Sequence, residues 1–203
     1  MSDTYATLEQ MKAAVRFQSD FDDSLLETAL EAATTWVNGW CDRSFYAAGT
    51  AVEDVTSRDY IPTGLYDPLP IDDAVEIVSV KIDDDFDRTF PVTLRPIDFQ
   101  AEPVNQTNYG LVLPITRLRP FEDGYWPTFR KQATVRVEAR YGWPEVPDAV
   151  REATILQASR LFTRLDAPLG IAGFGDLGGM RVSRFADPDV ELLLSPYRRV
   201  QYA

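Results

Sequence analysis

Along the first 45 residues, apolar side chains recur at three- and four-residue spacing, the period of an amphipathic helix. Leu8, Met11 and Ala14 or Val15 predict a short first helix, opened by a capping box in which Thr7 caps and Gln10 reaches back. Ser19, Asp20, Asp22 and Asp23 then break the pattern and start a second helix. Its apolar face is Leu26, Ala29, Leu30, Ala33, Trp36, Val37 and Trp40, and it ends near Gly39 to Asp42. From about Thr50 to Tyr141 the helical period disappears. Short apolar runs punctuated by prolines and turn residues replace it: Val52 to Tyr60, the alternating Val78, Val80 and Ile82, Phe90 to Leu94, Ile97 to Gln100, and Leu111, Leu113 and Ile115. In the last run, Val135, Val137, Ala139 and Tyr141 alternate with Thr134, Arg136, Glu138 and Arg140, the pattern of a half-buried strand. Gly142, Trp143, Pro144 and Pro147 stop it. Pro147 and Asp148 suit the first turn of a helix. Val150, Ala153, Ile155 or Leu156, Ala158, Leu161, Phe162 and Leu165 give that helix one apolar stripe over about five turns.

The expected fold is therefore α+β: a small helical bundle carrying an inserted antiparallel β sandwich or barrel, with an extended C-terminal segment. Residues 1–47 supply the N-terminal helices, 48–141 the β insertion, 142–170 the long helix that completes the bundle, and 171–203 a linker and docking segment. The linker is read from Pro168, Gly170, Gly173, Gly175, Gly178 and Gly179. A last amphipathic piece, Pro188 to Leu194, is capped by Asp187 or Asp189.

Charge narrows the function classes. The chain has 32 acidic and 20 basic residues, a net charge of −12. That balance argues against a reader of duplex DNA, which replaces phosphate counterions with cations. The acids crowd the first half: 20 against 7 bases in residues 1–100, and 12 against 13 afterwards. With no histidine and the single Cys41, Ser-His-Asp and Cys-His nucleophiles are excluded, as are an intrachain disulfide and the usual zinc ligand sets. No catalytic residue, cofactor or metal is assigned. The polar, acidic N-terminus MSDTYATLEQ has no secretory pattern, no run is long enough to span a bilayer, and expression in a reducing cytoplasm is expected.

Two motif matches carry no chemistry. Gly173-Phe174-Gly175-Asp176-Leu177-Gly178 has GxGxxG spacing, but it follows a helix and Pro168 rather than a strand, and reads as a loop. Asp83, Asp85 and Asp87 stand at calcium-loop spacing, yet Arg88 occupies the glycine place and Leu94 the glutamate place, which points to a solvated turn. Two other stretches point to partners. Phe121, Tyr125, Trp126 and Phe129 crowd one loop, with Glu122, Asp123 and Arg130 interleaved. Such rings serve a subunit interface or fold back over the β core. Arg181, Arg184, Phe185, Leu193, Leu194, Tyr197, Arg198 and Arg199, tethered by glycines, form either a frayed tail or a docking segment that orders on a partner's carboxylates.

The helix pair ending TTWVNGWCDRSF, the insertion with GLVLPITRLRP, the block YGWPEVPDAVREATILQASRLF and the tail GGMRVSRFADPDVELLLSPYRR together resemble the head–tail connector (adaptor) proteins of long-tailed bacteriophages. The resemblance implies a structural virion protein, assembled in the host cytoplasm, that forms a twelve-fold homo-oligomeric ring beneath the portal. Such a ring extends the DNA channel and joins the capsid to the neck. It implies the portal protein, a downstream neck or tail protein and the chain itself as partners, with residues 181–199 reaching the portal. Acids from the first half are expected to line the lumen, so that genomic DNA passes without specific binding. A chain cut at about Gly179 is expected to fold and fail to attach. The alternatives are another neck component, such as a head-closure or tail-terminator protein, and a carboxylate-based hydrolase.

Overall fold

The computed structural model describes residues 4–15, 23–108, 111–121, 124–166, 171–172, 180–181 and 187–199. The chain divides into two compact units, Met1–Phe45 with Val146–Ala203, and Tyr46–Glu145.

The first unit is helical. Helix α1 spans Leu8–Val15 and opens with the predicted reciprocal cap: the Gln10 amide N–H donates to Thr7 Oγ1 at 3.2 Å, and the Thr7 N–H donates to Gln10 Oε1 at 2.9 Å. Helix α2 spans Asp23–Cys41, α3 Asp148–Asp166 and α4 Pro188–Leu194. Helix α3 packs against the other three. The shared core is Ala6, Met11, Leu26, Ala29, Leu30, Ala33, Ile155 and Ala158, closed at its edges by Leu8, Val15, Leu161 and Phe162. Four of the eight are alanines, which lets the helix backbones approach closely. Trp36 and Trp40, expected on the buried face of α2, are half-buried instead. Each residue advances a helix by about 100°. The stripe Leu26, Leu30, Ala33, Val37, Cys41 therefore fills the groove, and the two indoles are left on its flank.

In the second unit a 3₁₀ turn at Val52–Asp54 leads into β1 (Val55–Tyr60), followed by β2 (Leu69–Ile82), β3 (Val92–Thr93), β4 (Phe99–Glu102), β5 (Thr107–Asn108), β6 (Leu111–Val112), β7 (Ile115–Pro120) and β8 (Val135–Tyr141). The pairing resolves the expected sandwich or barrel as one six-stranded antiparallel sheet. Its order is β1-β8-β2-β7-β4, with β3 also on β2, and β5 and β6 form a separate pair. Leu69, Ile71, Ala74, Val80 and Ile82 from β2, Ile115 and Leu118 from β7, and Val135, Val137 and Ala139 from β8 form its core with Trp126. Beyond the sheet, Ile171–Ala172 (β9) pairs antiparallel with Met180–Arg181 (β10).

Strand β2 begins nine residues before the predicted run. Charges there are structural: Asp72 accepts from Arg58 Nη1 at 2.6 Å, and Asp73 accepts from Trp143 Nε1 at 2.9 Å. The same holds at the sheet's other edge. Arg117 and Arg119 of β7 each reach Glu102 of β4 at 2.7 Å. The Arg119 hydrogen bond, above all, holds the Glu102 carboxyl below its usual range, against a smaller opposing effect of burial. A carboxyl with a depressed folded pKa contributes stability at neutral pH and loses it as pH falls through that value. Glu102→Gln is expected to cost about 1 kcal/mol at pH 7, discounted for the exposed arginines. That difference should shrink below about pH 4, as followed by urea unfolding.

The ends of the inserted unit are stapled together. The Trp143 N–H donates to the Tyr46 carbonyl at 2.9 Å, the Ala48 N–H to the Trp143 carbonyl at 2.7 Å, and the Gly142 N–H to the Asp73 carbonyl at 2.7 Å. Gly142 has φ +130°, and a Cβ there would lie 2.8 Å from the Tyr46 oxygen and 2.9 Å from the Ala48 nitrogen. Both neighbours are backbone, so neither yields. Gly142→Ala is expected to lower stability by about 2–3 kcal/mol, read as the melting temperature.

Candidate assembly surfaces

The C-terminal segment is not a free tail over residues 187–199. Asp187 caps α4 by accepting the Asp189 N–H at 3.0 Å, and Pro188 takes the first turn. Val190 and Leu194 are fully buried, in a helix packed on α3. The Tyr197 ring meets Phe45 edge-on at 5.9 Å, the Arg198 guanidinium lies 5.5 Å from the Trp40 ring, and the Arg199 N–H donates to the Cys41 carbonyl at 2.9 Å. Residues 187–199 are a strap closing the helical unit. Of the proposed docking residues, Leu194 and Tyr197 serve this strap, Leu193 and Arg199 are half-buried, and Arg198 is exposed. Arg181 is in β10, while Arg184 and Phe185 lie outside the described residues, as does the glycine motif at 173–178.

The aromatic loop divides. Trp126 is 1% exposed, joins the β core, and donates its Nε1–H to the Asp67 carbonyl at 3.0 Å. Phe121, Tyr125 and Phe129 are 46%, 47% and 40% exposed. Phe129 stacks on Phe86 at 4.7 Å, with the Arg130 guanidinium 5.1 Å from its ring. Trp126 thus takes the core role, and the other three rings remain surface.

Asp83, Asp85 and Asp87 do converge, with oxygens within 4.8 Å of one another. Asp83, however, is fully buried and spends both oxygens on the turn, accepting the Asp87 N–H at 3.1 Å and the Arg88 N–H at 2.9 Å. Phe86, Arg88 and Phe90 have positive φ, the backbone of a tight turn. Other charges of this unit are paired among the described residues: Asp59 with Arg136, Asp72 with Arg58, Glu76 with Arg140, Asp98 with Arg95, and Glu138 with Lys81. Among the described residues no helix is long and apolar enough to cross a membrane.

Residues 5–88, from the first helix to the acidic turn, match the family described as phage gp6-like head-tail connector protein. No curated protein matches. Among solved structures, a chain from the neck of an empty gene transfer agent (GTA) particle, computed with C6 symmetry, is 16% identical with a TM-score of 0.53. The match covers 98% of this chain and 92% of that one. A chain from the virion of the native GTA particle is 15% identical at a TM-score of 0.51, with the same coverage. At these identities the likeness is one of fold. The family match covers the helical start and the first part of the β unit, and the neck and virion chains share the α+β fold over almost the whole length.

Proposed function

We propose that this protein assembles head-to-tail into a closed twelve-fold ring beneath the portal of a DNA-filled head, extends the channel, and offers a surface to the next neck or tail protein. The observation that carries this reading is the family match over residues 5–88. No catalytic step, cofactor or metal belongs to it. The residence is the head–tail interface of the virion, after synthesis in the host cytoplasm. Exposed Phe121, Tyr125 and Phe129 supply subunit contacts, because apolar rings on a surface favour burial against a partner. An acidic ring keeps phosphate at a distance, so DNA moves without sticking. Assembled rings that bound duplex DNA tightly and salt-sensitively would contradict that part.

With Leu194 and Tyr197 committed to the bundle, the portal contact is assigned to the arginine-bearing stretch that precedes the strap, Arg181, Arg184 and Phe185. The experiment is co-sedimentation with portal-bearing heads. Arg181→Glu with Arg184→Glu is expected to leave the melting temperature and ring formation unchanged and to cut attachment at least tenfold. Attachment equal to the wild type would overturn the assignment. A head-closure or tail-terminator role is the nearest alternative, and the substantial helical unit favours the adaptor.

A further inference from the structure

The four tryptophans form two classes. Trp126 and Trp143 are 1% exposed, and each indole N–H has an acceptor, the Asp67 carbonyl and the Asp73 carboxylate. Trp36 and Trp40 stack on each other at 5.4 Å and 14°, half-buried on the flank of α2. Neither indole N–H has an acceptor among the described residues. Beside them, Gly39 is exposed within the helix, and a Cβ added there would meet nothing within 4 Å among the described residues. Glycine in a helix costs about 1 kcal/mol relative to alanine. Gly39 stands in the last turn of α2, where that cost is smaller, and its missing side chain leaves room for close approach of another backbone. The exposed Arg198 guanidinium over Trp40 completes the face. Tryptophan and arginine are the residue types on which binding energy concentrates.

We infer that this tryptophan face is one half of the subunit interface, and that it receives a second copy of this chain through the acidic turn Asp84–Asp87 of that copy's β unit. The inference rests on the ring reading above. A head-to-tail ring joins two different patches of the same chain. The tryptophan face offers N–H donors and a cation. The acidic turn offers the complement: Asp84, Asp85 and Asp87 are exposed and have no salt bridge among the described residues. Phe86, stacked on Phe129, provides an apolar surface for the indoles. The turn is also rigid, because buried Asp83 holds it from within, so little ordering entropy is lost on docking. Local charge complementarity selects this occupant: Arg198 is the cation of the tryptophan face, and the turn gathers three exposed carboxylates that have no salt bridge among the described residues.

The test is assembly of the full chain, followed by sedimentation across protein and salt concentration, with melting temperature as the check on folding. Arg198→Glu and Asp85→Lys are each expected to weaken assembly at least tenfold, and together to restore it to within about threefold of wild type. Gly39→Leu is expected to weaken assembly without lowering the melting temperature. If the wild type assembles and these variants assemble equally well, the inference falls while the ring stands. Single variants that weaken assembly without rescue by the pair would overturn the acidic turn as occupant. Variants that assemble normally but fail to attach to portal-bearing heads would assign the face to the vertex instead, again overturning it. A wild-type chain that stays monomeric at every concentration and on heads would overturn the ring reading itself.

Discussion

A chain ended after Gly179 is expected to lose its helical unit, rather than fold normally and merely fail to dock. Truncation there removes α4, whose Val190 and Leu194 are fully buried, together with the contacts of Tyr197, Arg198 and Arg199. Leu194→Ala alone is expected to cost about 2–5 kcal/mol, a large fraction of the 5–15 kcal/mol that holds a typical domain. Cys41 reports the outcome. Burial pushes its thiol up to about 11, only partly opposed by Arg43 and Arg198, and the Arg199 N–H caps its carbonyl. In the intact protein a thiol reagent at pH 8 should therefore react slowly. In the truncated chain the rate should rise by roughly a hundredfold as the thiol regains its ordinary acidity and exposure. Wild-type melting and a protected Cys41 in the truncated chain would show that the strap is no part of the fold.

The second large effect separates two neighbours in sequence. Trp126→Ala is expected to destabilise the β unit by about 3–5 kcal/mol, since the ring fills the core and its N–H bonds the Asp67 carbonyl. Tyr125→Ala, at 47% exposure, should change stability by no more than about 0.5 kcal/mol and weaken assembly instead. Thermal melting and sedimentation of the two variants read these effects independently. The opposite pattern, with Trp126→Ala stable and Tyr125→Ala unfolded, would mean that the loop is folded the other way round.

Much of this architecture was legible because its physics is local. The Thr7–Gln10 cap, the stripes of α2 and α3, and the alternation of β8 follow from spacing alone. What stayed hidden is non-local. The first half of β2 lies outside the run predicted at Val78 to Ile82, and its acids find their place only through Arg58, Tyr60 and Trp143, which bond to Asp72 and Asp73. β7 runs on through two arginines because Glu102 of the neighbouring strand pairs with both. Three of four rings in the aromatic loop stay on the surface, a division that composition could not make. The tail looked free because glycines precede it, yet the apolar side of its short helix already had a place on α3. The tryptophan pair on α2 was the surface feature most easily missed, since tryptophan at helical spacing reads as core. The useful sign was Gly39 beside it.

Assembly at the head–tail joint is the proposed task of this chain. Cryo-electron microscopy of intact particles, with the vertex reconstructed in its own symmetry, tests this most directly. A closed ring of twelve copies with the present fold, seated between portal and neck, is the predicted result. A single copy at the vertex, an unclosed arrangement, or particles lacking the chain altogether would contradict it.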